Sequence, residues 1–284
     1  MIIDGIKIRN EILKEVKKGV SELPFTPVFC DVIVGDDPVS LQYVKMKEKT
    51  AESVGILFRS ANFPMSTTTS LLIEEIEKLN KIPNMCGIIV QLPLPPHIDT
   101  QAVVDAIDQE LDVDCLGIYA SELFYNNENH IGFPAALACI AVLDSVGPIT
   151  SSQNIVVLGQ GKLVGKPVVH LLKQRKLPVS TIDSRTDNTR EMLKNADIII
   201  SGIGKGKFIT GDMIKEGVIV IDAGTSEDNG AVVGDVDLES VEKVASYVSP
   251  TPGGVGPVTV AILLKNVLAV AQKLKLAYYR QAGT

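Results

Sequence analysis

Lys47 is the residue of this sequence whose position most suggests chemistry. It lies in a predicted helix over residues 39–54, in register with Ser40, Tyr43, Val44 and Ala51, on the side expected to pack inward. The other charges of this helix follow helical spacing and form a solvated face, which comprises Lys45, Glu48, Lys49 and Glu52. An inward lysine must find a partner, extend to solvent or lose its charge. The pattern alone favours a lysine that extends to solvent over a catalytic one.

Polar residues also follow the third predicted strand. Gln91 ends the apolar run Cys86–Gln91, at the carboxyl edge where open α/β sheets bind ligands. Asp112 and Asp114 alternate in an extended segment, so only one of them faces a given side. A paired-carboxylate acid/base site is therefore disfavoured, and a single carboxylate that binds N–H donors of a ligand fits better. A strand-end glutamine and a solvated loop acid remain the alternatives.

A glycine turn between residues 155 and 167 is the clearest cofactor signal. An apolar strand runs into Gly159-Gln160-Gly161 and then, at Gly165, into a helix. Amides at such a helix start can face a pyrophosphate, and small residues allow its close approach. The spacing is one residue longer than the usual fingerprint, so a tight turn without a ligand stays possible.

The end of the next strand gives two conflicting signals about the nucleotide. Asp183 could accept hydrogen bonds from ribose hydroxyls and so favour NAD. Ser184, Arg185 and Thr186 could hold a 2′-phosphate and so favour NADP. Composition and spacing leave both cofactors open.

The segment from Pro250 to Pro257 cannot be regular structure, because three prolines and three glycines occupy six of its eight positions. It precedes a long amphipathic helix over residues 257–278, with Pro257 suited to the first turn. Such a segment can bring bare backbone against a flat ligand, and we favour this interpretation over a purely structural turn.

Strands and helices alternate along both halves of the chain, which predicts parallel βαβ units in each. Residues 119–133 are polar and turn-rich and are predicted to be a loop at a domain junction. Further helices are expected at residues 4–21, 67–80, 99–107, 133–146, 164–175, 187–195 and 210–216. Strands are expected at residues 27–34, 56–61, 86–91, 154–158, 179–182, 197–201 and 218–222.

Composition excludes several classes of protein. The chain has 284 residues, a formal charge of −7 and 45% hydrophobic residues, which is ordinary for a globular protein and offers no basic field for nucleic acid. The four cysteines lack metal-ligand spacing and are expected to be buried free thiols, with no metal site. No signal segment and no apolar run of membrane length is apparent, so a cytoplasmic protein without a membrane partner is expected.

These motifs occur together, in order, in one family. They are Ser40-x-x-Tyr43-Val-x-x-Lys47, Gln91-Leu-Pro-Leu-Pro95, Asp112-Val-Asp114, Gly159 to Pro167, Gly234-Asp235-Val236 and Pro252 to Pro257. The chain resembles the bifunctional methylenetetrahydrofolate dehydrogenase/methenyltetrahydrofolate cyclohydrolase (FolD) family over essentially its whole length.

The resemblance implies an α/β protein with two domains and a cleft between them. Residues 1–134 with the C-terminal helix 262–284 would form an αβα folate-binding catalytic domain with a parallel-type sheet, and residues 135–261 a Rossmann NAD(P)-binding domain. It further implies a homodimer in one-carbon metabolism and purine biosynthesis. The expected reactions are oxidation of 5,10-methylenetetrahydrofolate with NADP and hydrolysis of the methenyl product to 10-formyltetrahydrofolate.

The resemblance also assigns site residues. The catalytic group would comprise Lys47, Gln91 and Tyr43, and the folate would be bound by Tyr43, Asp114, Pro252, Gly253 and Gly254. The cofactor would be bound by Gly159, Gln160, Gly161, Gly165, Ser184, Arg185 and Thr225.

The sequence departs from the family pattern at several places near these residues. Leu111 and Cys115 flank the aspartate pair, Pro134-Ala135-Ala136-Leu137 replaces Pro-Cys-Thr-Pro, and Asp183 and Asp222–Ser226 differ as well. A dehydrogenase without hydrolase activity and a non-catalytic nucleotide-binding regulatory protein are therefore the alternatives, with NAD as the alternative cofactor.

Overall fold

The computed structural model describes residues 1–228 and 230–282 and contains two compact units. The first unit comprises Glu11–Pro134 with Leu263–Thr284, and the second comprises Met1–Asn10 with Ala135–Ile262. Both units contain a parallel sheet with helices in the connections, so the predicted α/β class is confirmed.

The first unit is built on a three-stranded sheet of order β2-β1-β3, in which β1 pairs in parallel with both neighbours. Its strands are β1 (Val28–Val34), β2 (Leu57–Phe63) and β3 (Met85–Val90). Its helices are α2 (Pro38–Ser53), α3 (Thr69–Leu79), α4 (Thr100–Asp105) and α5 (Ile118–Tyr125), with most of α1 (Gly5–Ser21).

One face of this sheet forms an apolar core with α3 and α4. Cys30 and Val32 of β1 pack with Leu72 and Ile76 of α3 and Val103 of α4. Side chains alternate across a strand, so Asp31 of β1 points to the opposite face.

Helix α2 begins at a well-defined cap. The Asp37 carboxylate accepts a hydrogen bond of 2.8 Å from the Ser40 backbone N–H, and Pro38 occupies the first turn, where its missing N–H costs nothing. This cap fixes the residue at which α2 begins.

The second unit has a five-stranded parallel sheet of order β10-β7-β6-β4-β5. Its strands are β4 (Ile155–Leu158), β5 (Val179–Ile182), β6 (Ile198–Ser201), β7 (Ile219–Asp222) and β10 (Tyr247–Val248), and β8 (Ser226–Asp228) and β9 (Ala231–Val233) form a separate hairpin. Its helices are α6 (Pro134–Asp144), α7 (Gly165–Gln174), α8 (Thr189–Lys194) and α9 (Leu238–Val241), and α10 (Val255–Ala282) begins there.

The structure corrects two predicted elements. Residues 119–133 are not all loop, because Ile118–Tyr125 is a helix whose Ala120 and Phe124 are buried. The helix expected at 210–216 is a single 3₁₀ turn, Gly211–Met213. Helix α5 was not predicted because polar residues surround its short apolar face in the sequence. The helix expected at 210–216 is short because Gly211 and Gly217 disfavour a longer helix there.

The first ten residues belong to the second unit, whereas the sequence placed them with the first. The Ile3 N–H donates to the Val248 carbonyl at 2.9 Å, and the terminal amine donates to the Ser246 carbonyl at 2.7 Å. This pairing beside β10 depends on contacts nearly the length of the chain apart, which local periodicity does not report.

The last helix is longer and more apolar than the sequence suggested. Val255–Leu276 of α10 has the length and composition of a membrane span, although no such run was expected. Its most apolar window is 61% buried inside the protein, as in the core helix of a globular protein. The predicted extent of this helix to residue 284 lies, at Gly283 and Thr284, outside the described residues.

Candidate active site

Lys47 is buried inside the first unit, with 7% of its surface exposed. Val44, Ala51 and Val54 on the same face of α2 are buried too, so the inward register predicted for Lys47 is confirmed, whereas the inward position predicted for Tyr43 is wrong. Tyr43, one turn before Lys47, is 42% exposed and leaves its ring available at the surface of the unit. The lysine has therefore found partners inside the protein instead of extending to solvent.

Two oxygen atoms hold the Lys47 ammonium group. Nζ donates a hydrogen bond of 2.8 Å to Gln91 Oε1 and lies 2.6 Å from Asp31 Oδ2. The Gln91 amide is oriented by its own Nε2, which donates to the Leu92 carbonyl at 3.1 Å and thereby turns Oε1 toward the lysine. The Gln91 backbone N–H donates to Val32 of β1 at 2.8 Å, so the end of β3 is fixed beside the strand that carries Asp31.

Asp31 is a site residue that the sequence analysis missed. It was read as part of the apolar run over residues 27–34, yet it is the one charged residue within that run. An ionisable side chain in a strand buried on both faces is costly unless it is paired, which is the signal that could have identified it. Burial raises the pKa of the Asp31 carboxyl, and the Lys47 ammonium opposes this shift.

Asp114 shares the electrostatic environment of Lys47. Burial raises its pKa to about 7, with Lys47 lowering it and the carboxylates of Asp112 and Asp31 raising it. A carboxyl group with this pKa exists in both protonation states near neutral pH. It can therefore accept hydrogen bonds from ligand N–H groups, or donate one when protonated.

Asp112 has a different, structural position. Its Oδ2 accepts a hydrogen bond of 2.8 Å from the Gly117 backbone N–H, and Asp112 forms a parallel bridge with Ile88 of β3. Cys115, which stands where the family pattern has glycine, has a φ of 58°, in the left-handed region that favours glycine. The turn between the two aspartates and α5 therefore keeps a backbone conformation suited to glycine although the residue is cysteine.

The glycine turn of the second unit has an open helix start. Gly159 follows β4 with a φ of 87°, and a Cβ atom there would lie 2.8 Å from the Gly202 carbonyl oxygen. A Cβ on Gly165 would lie 1.9 Å from the Gly159 carbonyl oxygen, whereas Gly161 has no neighbour within 4 Å. No side chain caps the start of α7 at Val164, but the Lys166 N–H donates to the Gly161 carbonyl at 3.1 Å and Pro167 has no N–H, so few amides of this turn can face an anion.

Asp183 and Arg185 bind one another at the end of β5. Arg185 donates to Asp183 Oδ2 from its guanidinium at 2.7 Å and to Oδ1 from its backbone N–H at 2.9 Å. These hydrogen bonds lower the pKa of Asp183. Ser184 between them is exposed, and 87% of the Arg185 side chain is exposed. The two residues with opposite cofactor preferences thus form one surface ion pair.

The remaining predicted residues follow β7 and precede α10. Thr225 is exposed just after β7, at the same sheet edge as the Gly159 turn, because β7, β6 and β4 run parallel. Gly253 has a φ of 104°, and a Cβ on Gly254 would lie 2.6 Å from the Pro250 carbonyl oxygen. Both glycines are therefore required by the backbone of this segment.

A Rossmann-type unit with an open glycine turn, in a chain that also buries a lysine against an amide and a carboxylate, defines a nucleotide-dependent α/β enzyme. Comparison with family models is specific. Residues 3–114 match the catalytic domain of tetrahydrofolate dehydrogenase/cyclohydrolase, and residues 134–275 match its NAD(P)-binding domain. The chain belongs to the tetrahydrofolate dehydrogenase/cyclohydrolase family. It is thus an oxidoreductase and hydrolase of one-carbon folate interconversion.

Individual relatives cover nearly the whole chain. It is 40% identical to the bifunctional protein FolD of Lactobacillus acidophilus, over 96% of this chain and 97% of that protein. The crystal structure of the bifunctional enzyme FolD from Campylobacter jejuni superposes with a TM-score of 0.91 at 32% identity, covering 96% of this chain and 99% of the other. The Trypanosoma brucei enzyme, solved with NADP cofactor and an inhibitor, gives 0.90 at 34% identity, covering 96% and 97%.

Proposed function

We propose that the enzyme oxidises 5,10-methylenetetrahydrofolate with NADP and then hydrolyses the methenyl product to 10-formyltetrahydrofolate, with Lys47 as the central catalytic residue. The observation that carries this proposal is the 2.8 Å hydrogen bond from the buried Lys47 Nζ to Gln91 Oε1. A lysine held in this way is placed to manage the protons of a reacting water.

The oxidation transfers a hydride from the methylene carbon to the nicotinamide and leaves a methenyl cation. This step breaks one C–H bond and needs alignment of donor and acceptor but no acid or base. The rate of the oxidation therefore depends on the residues that hold the folate and the nucleotide in alignment.

The hydrolysis needs a proton acceptor. Water adds to the methenyl carbon as it loses a proton to the neutral Lys47 amine, which leaves a hydroxyl adduct. The bond from that carbon to N5 then breaks as the hydroxyl group gives up its proton to form the formyl carbonyl and N5 takes up a proton. Gln91 fixes the lysine for this transfer through its oriented amide. One base on the first unit thus suffices for the cyclohydrolase step.

The folate is proposed to be held by groups that match its shape and donors. Asp114 accepts hydrogen bonds from N–H groups of the pterin, a charge-assisted contact, and the exposed Tyr43 ring packs on the substrate. Pro252, Gly253 and Gly254 offer backbone without bulky side chains. In this proposal Tyr43 and Asp114 of the first unit and the Pro252–Gly254 backbone of the second unit contact the folate, and the second unit also supplies the nucleotide site.

The nucleotide is proposed to lie on the glycine turn, with Gly159, Gln160, Gly161 and Gly165 around its pyrophosphate. Ser184 and Arg185 would hold the 2′-phosphate of NADP, and Thr225 would lie near the nicotinamide. Arg185 must leave Asp183 to do so, which lowers the preference for NADP over NAD relative to an unpaired arginine.

The proposal extends to assembly and cellular role. A homodimer in the cytoplasm, without a nucleic-acid or membrane partner, would supply formyl groups for purine biosynthesis. Support comes from the family membership and from the charge of −7. Sedimentation of the purified enzyme tests the dimer.

The decisive experiment gives purified enzyme methylenetetrahydrofolate with NADP or NAD and follows the methenyl chromophore as it forms and decays. We expect formation and decay in the wild type, and formation without decay in Lys47→Met. Accumulation of the methenyl product by the wild type would identify an enzyme with dehydrogenase activity alone. Nucleotide binding without any turnover would identify a non-catalytic binding protein.

A further inference from the structure

Asp31 occupies the centre of the central strand of the first unit and is fully buried, with 0% of its surface exposed. Its register partners are Ser60 on β2 and Ile89 on β3, neither of which carries a charge. Oδ2 forms an ion pair with Lys47 Nζ at 2.6 Å, and neither Oδ1 nor Oδ2 has a further hydrogen-bond partner among the described residues. The lysine is therefore the group that compensates this carboxylate.

The other ionisable groups near the pair do not replace this contact. From the segment after β3, Asp114 and, behind it, Asp112 add negative charge. From β1 itself, the buried Cys30 thiol has its pKa raised to about 12 by desolvation and by Asp31. From β2, Arg59 acts on Cys30, with which it is in register, and is exposed. Tyr43 lies one helical turn away on α2.

A buried carboxylate is a costly choice for this strand position. An apolar side chain would suit the register partner Ile89 of β3 and would need no counter-ion. Buried ion pairs are weak evidence for stability, since hydrophobic replacements are often as stable. The contact is better explained by what it does to the lysine.

We propose that Asp31 is a positioning residue for the cyclohydrolase reaction, which holds Lys47 against Gln91 and takes over one of its protons so that the lysine can act as a base. The inference rests on the proposed function of Lys47. Asp31 lies behind the lysine and acts through it.

The protons of the reaction can be followed through the Asp31–Lys47 pair. A proton passes from the Lys47 ammonium to the Asp31 carboxylate, breaking an N–H bond and forming an O–H bond. The neutral amine then accepts a proton from the attacking water as the C–O bond to the methenyl carbon forms. One proton of the pair finally leaves to solvent, which matches the one proton released by the overall hydrolysis.

This role has a pH signature, because the pair titrates as one unit. With Asp31 present, the amine forms by transfer within the pair and needs no prior loss of a proton to solvent. In Asp31→Asn the lysine must lose its proton to solvent first. The acidic limb of the cyclohydrolase kcat profile therefore moves to higher pH.

The test compares the pH profiles of both activities in the wild type, Asp31→Asn and Asp31→Val. We expect the limb to move up by about one pH unit in both variants, with hydrolysis at neutral pH reduced about tenfold and recovered at alkaline pH. The dehydrogenase kcat should stay within about threefold, because hydride transfer needs no base. Valine suits a buried strand, so it provides a folded variant should the asparagine disturb β1.

Ser60→Ala is the control for disturbance of the sheet, because Ser60 is exposed and in register with Asp31. It should keep the wild-type profile. An unchanged pH profile in both Asp31 variants, or a parallel fall of both activities with a lower thermal midpoint, would overturn the role of Asp31. Lys47→Met separates the two proposals, since hydrolysis retained in that variant overturns the function of Lys47 itself.

Discussion

Asp31 of the first unit and the two acids Asp222 and Asp235 of the second unit are buried in opposite ways. In the second unit, Asp222 accepts hydrogen bonds from the backbone N–H groups of Gly224 at 2.9 Å and of Asp235 and Val236 at 3.1 Å. Asp235 accepts from the Ser201 hydroxyl at 2.7 Å and from backbone amides of Ile203 and Lys205 at 2.8 Å. In the first unit, the Lys47 ammonium is the one polar partner of the Asp31 carboxylate among the described residues.

The difference separates structural acids from chemical ones. Backbone amides cannot move without unfolding the loops that carry them, so Asp222 and Asp235 tie those loops together. Glycines make this possible, since a Cβ on Gly234 would lie 1.9 Å from Asp222 Oδ2 and one on Gly224 would lie 2.0 Å from Asp235 Cγ. A lysine side chain can exchange its protons, so the Asp31 pair can take part in a reaction.

The largest expected effect comes from removing the lysine. Lys47→Met should lower cyclohydrolase kcat by about 10²–10⁴-fold, the usual contribution of a positioned base. It should also lower the free energy of unfolding by about 3 kcal/mol, because Asp31 is left buried without a counter-ion. Denaturant unfolding and the methenyl assay measure both effects. In the double variant Lys47→Met/Asp31→Val, the free energy of unfolding should return to the wild-type value, whereas hydrolysis should stay lost. A double variant as unstable as Lys47→Met would contradict the pairing of Lys47 with Asp31.

Removal of a structural acid should act on stability alone. Asp235→Ala leaves the Ser201 hydroxyl and two backbone amides without their acceptor, and we expect about 3 kcal/mol of destabilisation in denaturant unfolding. Glu227→Ala, exposed in β8, is the control and should change little. The comparison fails if Asp235→Ala shifts the pH profile of hydrolysis at unchanged stability.

Asp114 sharpens the comparison through pH. Its pKa is raised to about 7, so the folded protein holds this proton after the unfolded chain has lost it. Its contribution to stability is complete below about pH 4 and is lost as the pH rises through about 7. Asp114→Asn should therefore be more stable than the wild type by about 2 kcal/mol at pH 8, with little difference near pH 4. Folate affinity should fall. Equal pH dependence of unfolding in both proteins would exclude this ionisation.

Gly159 tests the backbone site of the second unit. Gly159→Ala places a Cβ against the Gly202 carbonyl in a residue with positive φ, which should cost about 1–2 kcal/mol of stability and weaken NADP binding. Gly161→Ala adds a Cβ in open space and serves as the matched variant. Isothermal titration measures the affinity of both variants for NADP. Equal affinities for NADP would argue against close approach of the pyrophosphate at Gly159.

The smallest effect is expected at the surface ion pair. Asp183→Ser frees the Arg185 guanidinium and should raise the affinity for NADP relative to NAD by about threefold, as exposed pairs are weak and screened by salt. Arg185→Ala should shift the ratio the other way. Titrations of both nucleotides at low and high salt measure it, and a ratio unaffected by either substitution would remove the pair from cofactor choice.

Much of the fold could be predicted because its strands carry strong local signals. Continuous apolar runs such as Ile155–Leu158 gave strands close to their observed bounds, and the helix predicted over residues 39–54 lies within one residue of α2 (Pro38–Ser53) at each end. Short elements with mixed signals were missed, namely β8, β9, α9 and β10. Strand β10 has only two residues and exists because it pairs with β7 on one side and bridges Ile2 on the other.

For the site, the sequence by itself determined the inward register of Lys47, the strand end at Gln91 and the glycine turn, because helical and strand periods and glycine spacing are local properties. Only the tertiary structure decided what the lysine meets. Asp31, Lys47 and Gln91 come from three different elements, and nothing local tells that their side chains converge within 2.8 Å. A lone aspartate in an apolar strand became a proton partner because α2 packs its one inward lysine on the same face of the sheet.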